Sequence, residues 1–501
     1  MYQIKDFIPR TYQENIIKTA INNNTLVVLP TGLGKTAIAI MLSIERLNKF
    51  PDSKILILAP TKPLSEQHLR TFKKRTTINP EKITLLTGMI KPEIRKELWK
   101  NSKVIIATPQ TIESDLKNKR ISLEDITLLI IDECHRSKEK FANTIVSQEY
   151  IKQAKNQKIL ALTASPGSTK KEIDEICRNL NINAIEIRTE SDKEIKQYIP
   201  EKETEWIQVN LPQEFKDLKN LINESYEDKL KKIKRLGFSK PLNLINKKDL
   251  LLLQKRFQNE IRSGSKTAFY SISLIAQAIK LEHAITLLET QGINPLKEYW
   301  KKLETDQSKA AKNILNEINI KKSISLTNIL IEKKFQHPKT EKLIEIIKTE
   351  LNKNQNSKII LFANYRFTVN ELFSVLNNLD KAKPIKLIGQ KEGLTQKQQI
   401  QTINDFEQNQ HNILICTSIG EEGLHLSTVD LAIFYESVPS VIRSIQRRGR
   451  VGRVKIGKII YIITKSTKDE AFYWSSFQKE KKMKDILHKM QKKNKKEQPP
   501  L

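Results

Sequence analysis

The sequence predicts an α/β protein in which two parallel-sheet domains are separated by a helical insertion. Short apolar runs alternate with segments of helical periodicity in the first part of the chain, and the same rhythm returns near His337. The runs are apolar throughout instead of alternating with polar residues, which is typical of strands covered on both faces of a parallel sheet.

The first domain is predicted to span residues 1–204. Polar residues directly follow its apolar runs, and ligands of open α/β sheets bind at this carboxyl edge. We therefore expect a ligand site there. The predicted strands are TLVVLP, KILILAP, KITLLTG, KVIIATP, ITLLIIDE and KILALTAS.

The rest of the chain divides into three parts. Residues 205–335 lose the strand-like runs and carry long, lysine-rich segments of helical periodicity, which predicts a helical insertion. Residues 336–475 are predicted to form the second sheet domain. Residues 476–501 are predicted to form a Lys-rich C-terminal tail that is helical at first and then disordered over KKNKKEQPPL. The predicted strands of the second sheet are SKIILFANYR, PIKLIGQ, HNILICTS, DLAIFYES and KIIYIIT.

Composition limits the classes of function. The 501 residues include 87 basic and 57 acidic side chains, a formal charge of +30 that favours a polyanionic partner such as nucleic acid. A proteome rich in Lys, Asn and Ile would produce the same excess. No apolar run reaches the roughly 20 residues of a membrane span, and the N-terminus lacks the apolar centre of a signal peptide. With three scattered cysteines and no zinc spacing, a cytoplasmic protein without a membrane partner is expected.

The segment LPTGLGKT lies between the first apolar run and a segment of helical periodicity. Its glycines let backbone N–H groups surround phosphates, and a helix N-terminus adds positive potential. Lys35 is expected to reach the β- and γ-phosphates of ATP, and Thr36 to ligate Mg²⁺ through its hydroxyl. A glycine-rich turn is the alternative. The predicted ATP-binding residues of this loop are Thr31, Gly32, Gly34, Lys35 and Thr36.

The segment LLIIDECH supplies the second part of this predicted site. Asp132 at a strand end can hold magnesium through its second shell, and Glu133 can orient and deprotonate the attacking water. An Asp–Glu pair after a strand is weak evidence by itself. Downstream of a phosphate-binding loop it becomes strong evidence for ATP hydrolysis.

Two further segments complete the predicted site. Gln13, in PRTYQENI, has an amide that can pair with the edge of adenine, and Arg10 would support the same pocket. In SIQRRGRVGR, Arg450 and Arg453 are three residues apart, and an arginine from a second domain can stabilise the γ-phosphate as charge develops. Gln446 of the same segment is assigned to the catalytic set. The alternative for these arginines is a solvated or nucleic-acid-binding basic patch.

Taken in order, the motifs resemble those of superfamily two helicases, whose two sheet domains are RecA-like. The stretch DLAIFYESVPSVIRSIQRRGRVGR and the helical insertion resemble most closely the Hef, Fanconi anaemia group M and Mph helicases. The motifs lie within residues 10–475 and are PTGLGKT, APTKPL, ATPQT, DECH, TASPG, FANYR, TSIGEEGL and QRRGRVGR.

The resemblance implies further roles. Thr163 and Ser165 of TAS would couple hydrolysis to domain movement, and four other motifs would line a nucleic-acid track. Each threonine of that track, taken alone, could equally be a helix N-cap. Relatives usually move 3′ to 5′ on forked or branched DNA, so replication-fork repair and recombination are expected, with repair or replication proteins as partners. The predicted track residues are Thr61, Thr108, Arg366 and Thr417.

Three features depart from the family pattern. No Glu-Arg-Lys nuclease signature follows the motifs, so the resemblance is to the helicase portion alone. His425 stands where relatives usually have an Asp that helps to bind ribose, so the resemblance does not imply the family's sugar contact at this position. Cys134 in DECH is commoner in RIG-I-like and Dicer-like enzymes, whereas Hef-like proteins usually have Ala.

Two rival functions would use the same motifs. One is a double-stranded-RNA-stimulated ATPase of the RIG-I and Dicer kind, which DECH and the helical insertion favour. The lack of a zinc-binding cysteine quartet and of a ribonuclease segment disfavours it. The other is a nucleic-acid clamp that switches with ATP without unwinding.

Overall fold

The computed structural model contains two parallel sheets and a helical bundle, which confirms the predicted fold class. In sequence, the bundle follows the first strand of the second sheet and precedes its other five strands. Each sheet carries helices on its faces. The model describes residues 1–190, 192–198, 203–238, 240–263, 268–389, 395–417, 429–438, 440, 445 and 457–497.

All six strands predicted for the first sheet are present, and a seventh joins them. The strands are β1 Thr25–Val28, β2 Lys54–Leu58, β3 Ile83–Leu86, β4 Val104–Ala107, β5 Ile126–Asp132, β6 Ile159–Thr163 and β7 Ala184–Ile187. They are parallel, in the order β3-β4-β2-β5-β6-β1-β7. Strand β7, absent from the prediction, covers the free edge of β1.

Helices cover both faces of this sheet. Alternate residues of β5 face opposite apolar clusters: Leu129 and Ile131 belong to one, Leu128 and Ile130 to the other. Both sets are fully buried, which explains why the strands read as unbroken apolar runs. The helices are α1 Thr11–Asn22, α2 Lys35–Lys49, α3 Lys62–Arg75, α4 Pro92–Asn101, α5 Pro109–Lys117, α6 Ala142–Gln153, α7 Lys170–Asn179 and α8 Lys193–Lys196.

The second sheet has six parallel strands. They are β8 Glu203–Val209, β9 Ile359–Phe362, β10 Pro384–Leu387, β11 Ile413–Cys416, β12 Leu431–Phe434 and β13 Lys458–Thr464, in the order β10-β11-β9-β12-β13-β8. Residues 203–204, expected in the first domain, and residues 205–209, expected in the insertion, all pair with β13 of the second sheet, so these predicted bounds are wrong. The helices of this domain are α15 Pro338–Lys353, α16 Arg366–Leu376 and α17 Gln396–Glu407.

The insertion is a helical bundle, as predicted. Its helices are α9 Gln213–Arg235, α10 Lys247–Arg262, α11 Ala268–Thr290, α12 Ile293–Thr305, α13 Lys309–Leu315 and α14 Ile318–Glu332. Helix α11 contributes to both apolar clusters of the bundle. It is long and apolar enough to cross a membrane by length and composition, but 56% of the relevant window is buried inside the protein, as in the core helix of a bundle.

The last described element is the helix α18 Lys468–Glu497. Met483 and Leu487 on this helix are buried in the apolar core of the first domain, although the helix follows the second sheet. At its start, the Lys468 ammonium donates to Glu282 of the bundle at 3.0 Å. The prediction of a disordered tail is wrong for residues 492–497, which continue the helix whose preceding turns pack on the first domain.

Candidate functional site

The candidate site forms where the carboxyl ends of β1, β5 and β6 meet. Val28 pairs with Thr163, and Asp132 pairs with Leu162, so three predicted motifs leave the sheet side by side. These are the phosphate-binding loop, the Asp–Glu pair and the TAS segment. The carboxyl edge of an open parallel sheet is where ligands bind.

The phosphate-binding loop joins β1 to α2. Gly32 and Gly34 have φ angles of +86° and +75°, in the left-handed region that glycine adopts without strain. A Cβ atom at Gly34 would lie 2.6 Å from Nε2 of Gln13. The glycines therefore keep the backbone of the loop uncovered, as the close approach of a phosphate requires.

Lys35 and Thr36 occupy the first turn of α2. The Lys35 ammonium donates to the carbonyl of Leu29 at 3.0 Å and lies 3.5 Å from that of Pro30, which holds it over the loop. The first N–H groups of a helix have no partners within the helix and attract anions. A polyphosphate in this loop would therefore meet the lysine, the threonine hydroxyl and the helix N-terminus together.

Asp132 ends β5, and its carboxylate is almost fully buried. Oδ2 is hydrogen-bonded to Nε2 of His68 at 2.9 Å, and Oδ1 accepts from the N–H of Glu133 at 3.0 Å. Burial alone would raise the pKa of this carboxyl. The hydrogen bond and charge of His68, together with the charge of Lys35, outweigh burial and hold the pKa below its ordinary value.

The donor set fits a magnesium ion that arrives with a nucleotide. Mg²⁺ prefers oxygen ligands and usually takes one or two carboxylates together with substrate phosphates and waters. Thr36 and Asp132 offer a hydroxyl and a carboxylate. Within the described residues, no group of three or more His, Cys, Asp or Glu side chains could hold a separate metal ion. The hydroxyl of Thr36 and the carboxylate of Asp132 therefore suit Mg²⁺ that binds together with ATP.

Glu133 has a φ angle of +50°, which residues other than glycine rarely adopt. Its side chain is buried, and Oε2 has no hydrogen-bond partner within the part of the chain that the structure describes. Nδ1 of His135 lies 3.3 Å away but outside hydrogen-bond geometry. Strained backbones and unpaired buried polar atoms concentrate at functional sites, and this oxygen can accept a proton from water.

Thr163 and Ser165 link the acidic pair to the C-terminal helix. Thr163 Oγ1 lies 3.3 Å from Nδ1 of His135 and accepts from the N–H of Ser165 at 3.1 Å. On its other side, Ser165 Oγ lies 3.1 Å from Sδ of Met483 in α18. A chain of short contacts therefore runs from beside Glu133 to a helix that follows the second sheet.

Gln13 and Arg10 lie beside the phosphate-binding loop. Oε1 of the buried Gln13 accepts from the N–H of Arg10 at 2.9 Å, and Nε2 lies 3.5 Å from the carbonyl oxygen of Leu33. Tyr12 donates to the same carbonyl at 2.7 Å. The Arg10 guanidinium lies 4.2 Å from the ring centroid of Tyr198, which the sequence analysis did not identify. Both ends of the Gln13 amide are therefore engaged within the protein. Its pairing with adenine stays a prediction.

The predicted track residues of the first domain are Thr61 and Thr108, which directly precede α3 and α5. Both are the N-cap residues of these helices, but neither hydroxyl makes a side-chain cap hydrogen bond. The Thr61 hydroxyl is buried and has no hydrogen-bond partner among the described residues. The Thr108 hydroxyl is bonded to that of Thr111 at 2.8 Å.

In the second domain, Arg366 opens α16 and Thr417 directly follows β11. Nη2 of Arg366 donates to the carbonyl of Gly389 at 3.4 Å, and the N–H of Thr417 donates to that of Leu387 at 3.2 Å. Both residues therefore lie at the carboxyl edge of the second sheet. Their contact with nucleic acid stays a prediction.

Four residues of the sequence analysis lie outside the described residues: Gln446, Arg450, Arg453 and His425. The described residue Ile445, which directly precedes Gln446, is half-buried against the apolar core of the first domain. The roles of the two arginines and of Gln446 stay predictions.

His68 is a site residue that the sequence analysis missed. It lies in α3, seven residues after Thr61, on the helix that follows β2. Its spacing from Thr61 was a possible signal, because residues seven apart lie on one face of a helix. A lone histidine on an amphipathic helix, however, has no signature of its own.

Three family profiles match the chain, in the order of its domains. Residues 10–173 match the DEAD/DEAH box helicase profile, and residues 338–455 match the helicase conserved C-terminal domain. Residues 214–334 match a profile described as "Putative ATP-dependent RNA helicase, helical bundle".

Two curated relatives align with nearly the whole chain. The "Putative ATP-dependent RNA helicase MJ1505" of Methanocaldococcus jannaschii is 40% identical over 96% of this chain and 61% of its own length. The ATP-dependent DNA helicase mph1 of Neurospora crassa is 32% identical over 92% of this chain and 41% of its own length. The chain therefore spans less than two thirds of either relative.

A solved structure is similar in both fold and sequence. The helicase domain of Pyrococcus furiosus Hef superposes with a TM-score of 0.72 and is 44% identical. The match covers 93% of this chain and 98% of that one, so it includes both sheets and the bundle.

Proposed function

Because the chain belongs to the family of Hef-type and Mph1-type ATP-dependent helicases, we propose that it is a DNA helicase or translocase that remodels forked or branched DNA. Movement 3′ to 5′ and a role in replication-fork repair and recombination are part of the proposal, as are partner proteins from those processes. One observation carries it. A phosphate-binding loop and a buried Asp–Glu pair meet at one sheet edge, and a second parallel sheet follows in the same chain.

In the proposed reaction, Lys35 binds the β- and γ-phosphates of ATP, and Thr36 and Asp132 would hold magnesium. Bound Mg²⁺ would neutralise charge on the phosphates. Glu133 orients the attacking water and accepts its proton, a role supported by its buried Oε2 without a partner.

Arginines of the second domain are proposed to complete the site. Arg450 and Arg453 would stabilise charge on the γ-phosphate, together with Gln446. The position of Ile445 supports this, because the residue directly before Gln446 packs against the apolar core of the first domain.

The TAS segment is proposed to couple ATP hydrolysis to movement of the second domain. Thr163 contacts His135 beside Glu133, and Ser165 contacts Met483 on α18. A change at the γ-phosphate therefore has a short physical route to an element that begins on the second sheet. Coupling of this kind needs a packed, contiguous set of contacts.

The proposed nucleic-acid track runs along the carboxyl edges of both sheets. Hydroxyls and basic groups there would contact phosphates, which position a strand without reading its sequence. The position of Thr61 supports the proposal, because it lies directly before α3 and after β2, at the carboxyl edge of the first sheet. The other proposed contacts are Thr108, Arg366 and Thr417.

The bundle is proposed to lie over the duplex arm of a branched substrate. Some of its lysines are tied internally, such as Lys229, which pairs with Glu317 at 2.6 Å. Others lie exposed near the end of α9, where Lys231, Lys234 and Arg235 form a cationic group. These are suited to phosphate contacts.

Neutralising that group tests the placement of the bundle. Changing Lys231, Lys234 and Arg235 to Gln should weaken fork binding and flatten its salt dependence by about 0.9 per lost phosphate contact. Hydrolysis stimulated by single-stranded DNA should be spared. The matched control neutralises three exposed lysines of α18: Lys481, Lys482 and Lys489. Equal salt slopes for both triple variants would favour a solvated spacer instead.

A second candidate is an RNA-stimulated ATPase. One observation favours it: the M. jannaschii relative and the bundle profile both carry the name of an RNA helicase. ATP hydrolysis measured with forked DNA, duplex RNA and no polymer separates the two substrates. Stimulation by DNA is expected, and stimulation by duplex RNA alone would replace the proposal with this candidate.

The cytoplasm is the proposed compartment. In the structure, Cys134, Cys177 and Cys416 are all free thiols, which suits a reducing environment.

A further inference from the structure

The environment of His68 carries an inference about how the magnesium ligand is held. His68 and Asp132 are both buried, and their side chains meet at 2.9 Å between Nε2 and Oδ2. The two residues come from different elements, since His68 lies in α3 and Asp132 ends β5. The strand before α3 pairs with β5, with Leu58 opposite Ile131, so the sheet itself brings them together.

The two oxygens of Asp132 each have one bond from the protein. Oδ1 accepts from the N–H of Glu133, and Oδ2 is bonded to His68. The first bond fixes the carboxylate relative to its own backbone. The second fixes its rotation relative to the neighbouring helix. Outer partners of this kind orient metal ligands and commonly change metal affinity when removed.

Packing alone explains His68 poorly. Its Nδ1 is buried and has no hydrogen-bond partner among the described residues. A buried polar atom without a partner is destabilising, so a side chain chosen for packing alone would be apolar. The imidazole is better explained by the hydrogen bond of its other nitrogen to Asp132.

The same helix leads to the proposed nucleic-acid track. Thr61 precedes α3 and carries a buried hydroxyl without a partner in the described chain. His68 follows seven residues later, about 10 Å along the helix axis. Because α3 is a continuous helix over Lys62–Arg75, a displacement of its N-terminus would also displace His68.

We propose that His68 is a positioning residue: it holds the Asp132 carboxylate in the orientation that binds the magnesium of ATP. Through α3, it also ties that orientation to the loop that carries Thr61. The second half rests on the proposed function, because it requires nucleic acid to contact that loop. The first half requires only nucleotide and metal.

The test of the first half uses two variants. His68→Gln keeps a donor that can reach Asp132, whereas His68→Leu keeps the bulk without a donor. Binding of a fluorescent, non-hydrolysable ATP analogue is measured with Mg²⁺ and with EDTA, without nucleic acid. Mg²⁺ should increase the affinity of wild type for the analogue. In His68→Leu this increase should be about 10- to 100-fold smaller, and the affinity in EDTA should be unchanged. His68→Gln should stay within about threefold of wild type. Equal losses in both variants, or none in His68→Leu, would overturn the positioning role.

The second half is tested by the factor by which DNA stimulates hydrolysis at saturating Mg²⁺ and ATP. We expect this factor to fall in His68→Leu and to be restored in His68→Gln. An unchanged factor in His68→Leu would refute the link through α3. A wild-type protein that no nucleic acid stimulates would refute the proposed function instead, and the nucleotide measurement would still decide the positioning role. Unfolding curves for both variants establish that each is folded.

Discussion

The substitution Gly34→Ala tests the phosphate-binding loop quantitatively. With φ of +75° and ψ of +39°, this residue is left-handed, which costs a residue with a Cβ about 1–2 kcal/mol. The new Cβ would also lie 2.6 Å from Nε2 of Gln13. Gln13 is 1% exposed, and its Oε1 is bonded to the N–H of Arg10, so moving it should cost about 1 kcal/mol more.

The free protein can relieve this cost by relaxing the loop, so the cost should appear as lost ATP affinity. A loss of about 2–3 kcal/mol in binding free energy corresponds to a dissociation constant that is roughly 30- to 150-fold higher. The assay is titration with a fluorescent ATP analogue. Gly88→Ala is the matched control, because a Cβ there would meet nothing within 4 Å. If Gly34→Ala bound ATP within threefold of the control, the proposed cradle geometry would be wrong.

Three further predictions address other parts of the molecule. Glu133→Gln should keep its affinity for ATP but stop hydrolysis, because the amide cannot accept a proton from water. The variant should therefore stay on DNA as an ATP-bound complex. Near-normal hydrolysis would show that Glu133 is not the base. Leu487→Ala should lower the free energy of unfolding by about 2–5 kcal/mol, since this side chain is fully buried in the first domain. Denaturant unfolding measures the free energy of unfolding of this variant and of the control Lys489→Ala, which changes an exposed residue. If Leu487→Ala lost no more stability than the control, the packing of α18 on the first domain would be contradicted. Burial raises the pKa of Glu436 to about 7, despite the nearby Lys339. The folded state therefore binds the extra proton between about pH 4.5 and 7, and stability should fall by up to about 3 kcal/mol as pH rises through that window. The free energy of unfolding is compared at pH 5 and pH 8. The difference between the two should be smaller in Glu436→Gln than in wild type, and an unchanged difference would assign the pH dependence to other groups.

The sequence was most informative where residues are buried on both sides. Strands such as β5 have no solvent-facing positions, so their apolar runs and the acidic residues that follow could be recognised directly. The same reasoning failed for β8, whose residues alternate between exposed and half-buried at the sheet edge. The segment ETEWIQV therefore lacks the apolar run on which the prediction depended.

The other omissions concern contacts between distant parts of the chain. In α18, Met483 and Leu487 are four residues apart among lysines, and the sequence does not indicate which surface they cover. His68 acquires its role by meeting Asp132, 64 residues later. Neighbours of this kind are created by sheet order, which a single sequence with short motifs does not specify.

Strand displacement by wild type and Lys35→Ala tests the central claim most directly. The Lys35 ammonium donates to the carbonyl of Leu29 in the phosphate-binding loop, so the variant should bind forked DNA normally without nucleotide. We predict that wild type separates the strands of a fork only with ATP and Mg²⁺, and that Lys35→Ala neither hydrolyses ATP nor separates them. Hydrolysis by wild type without strand separation or movement would instead identify an ATP-switched clamp. Equal activity of the two proteins would contradict the assignment of the ATP site.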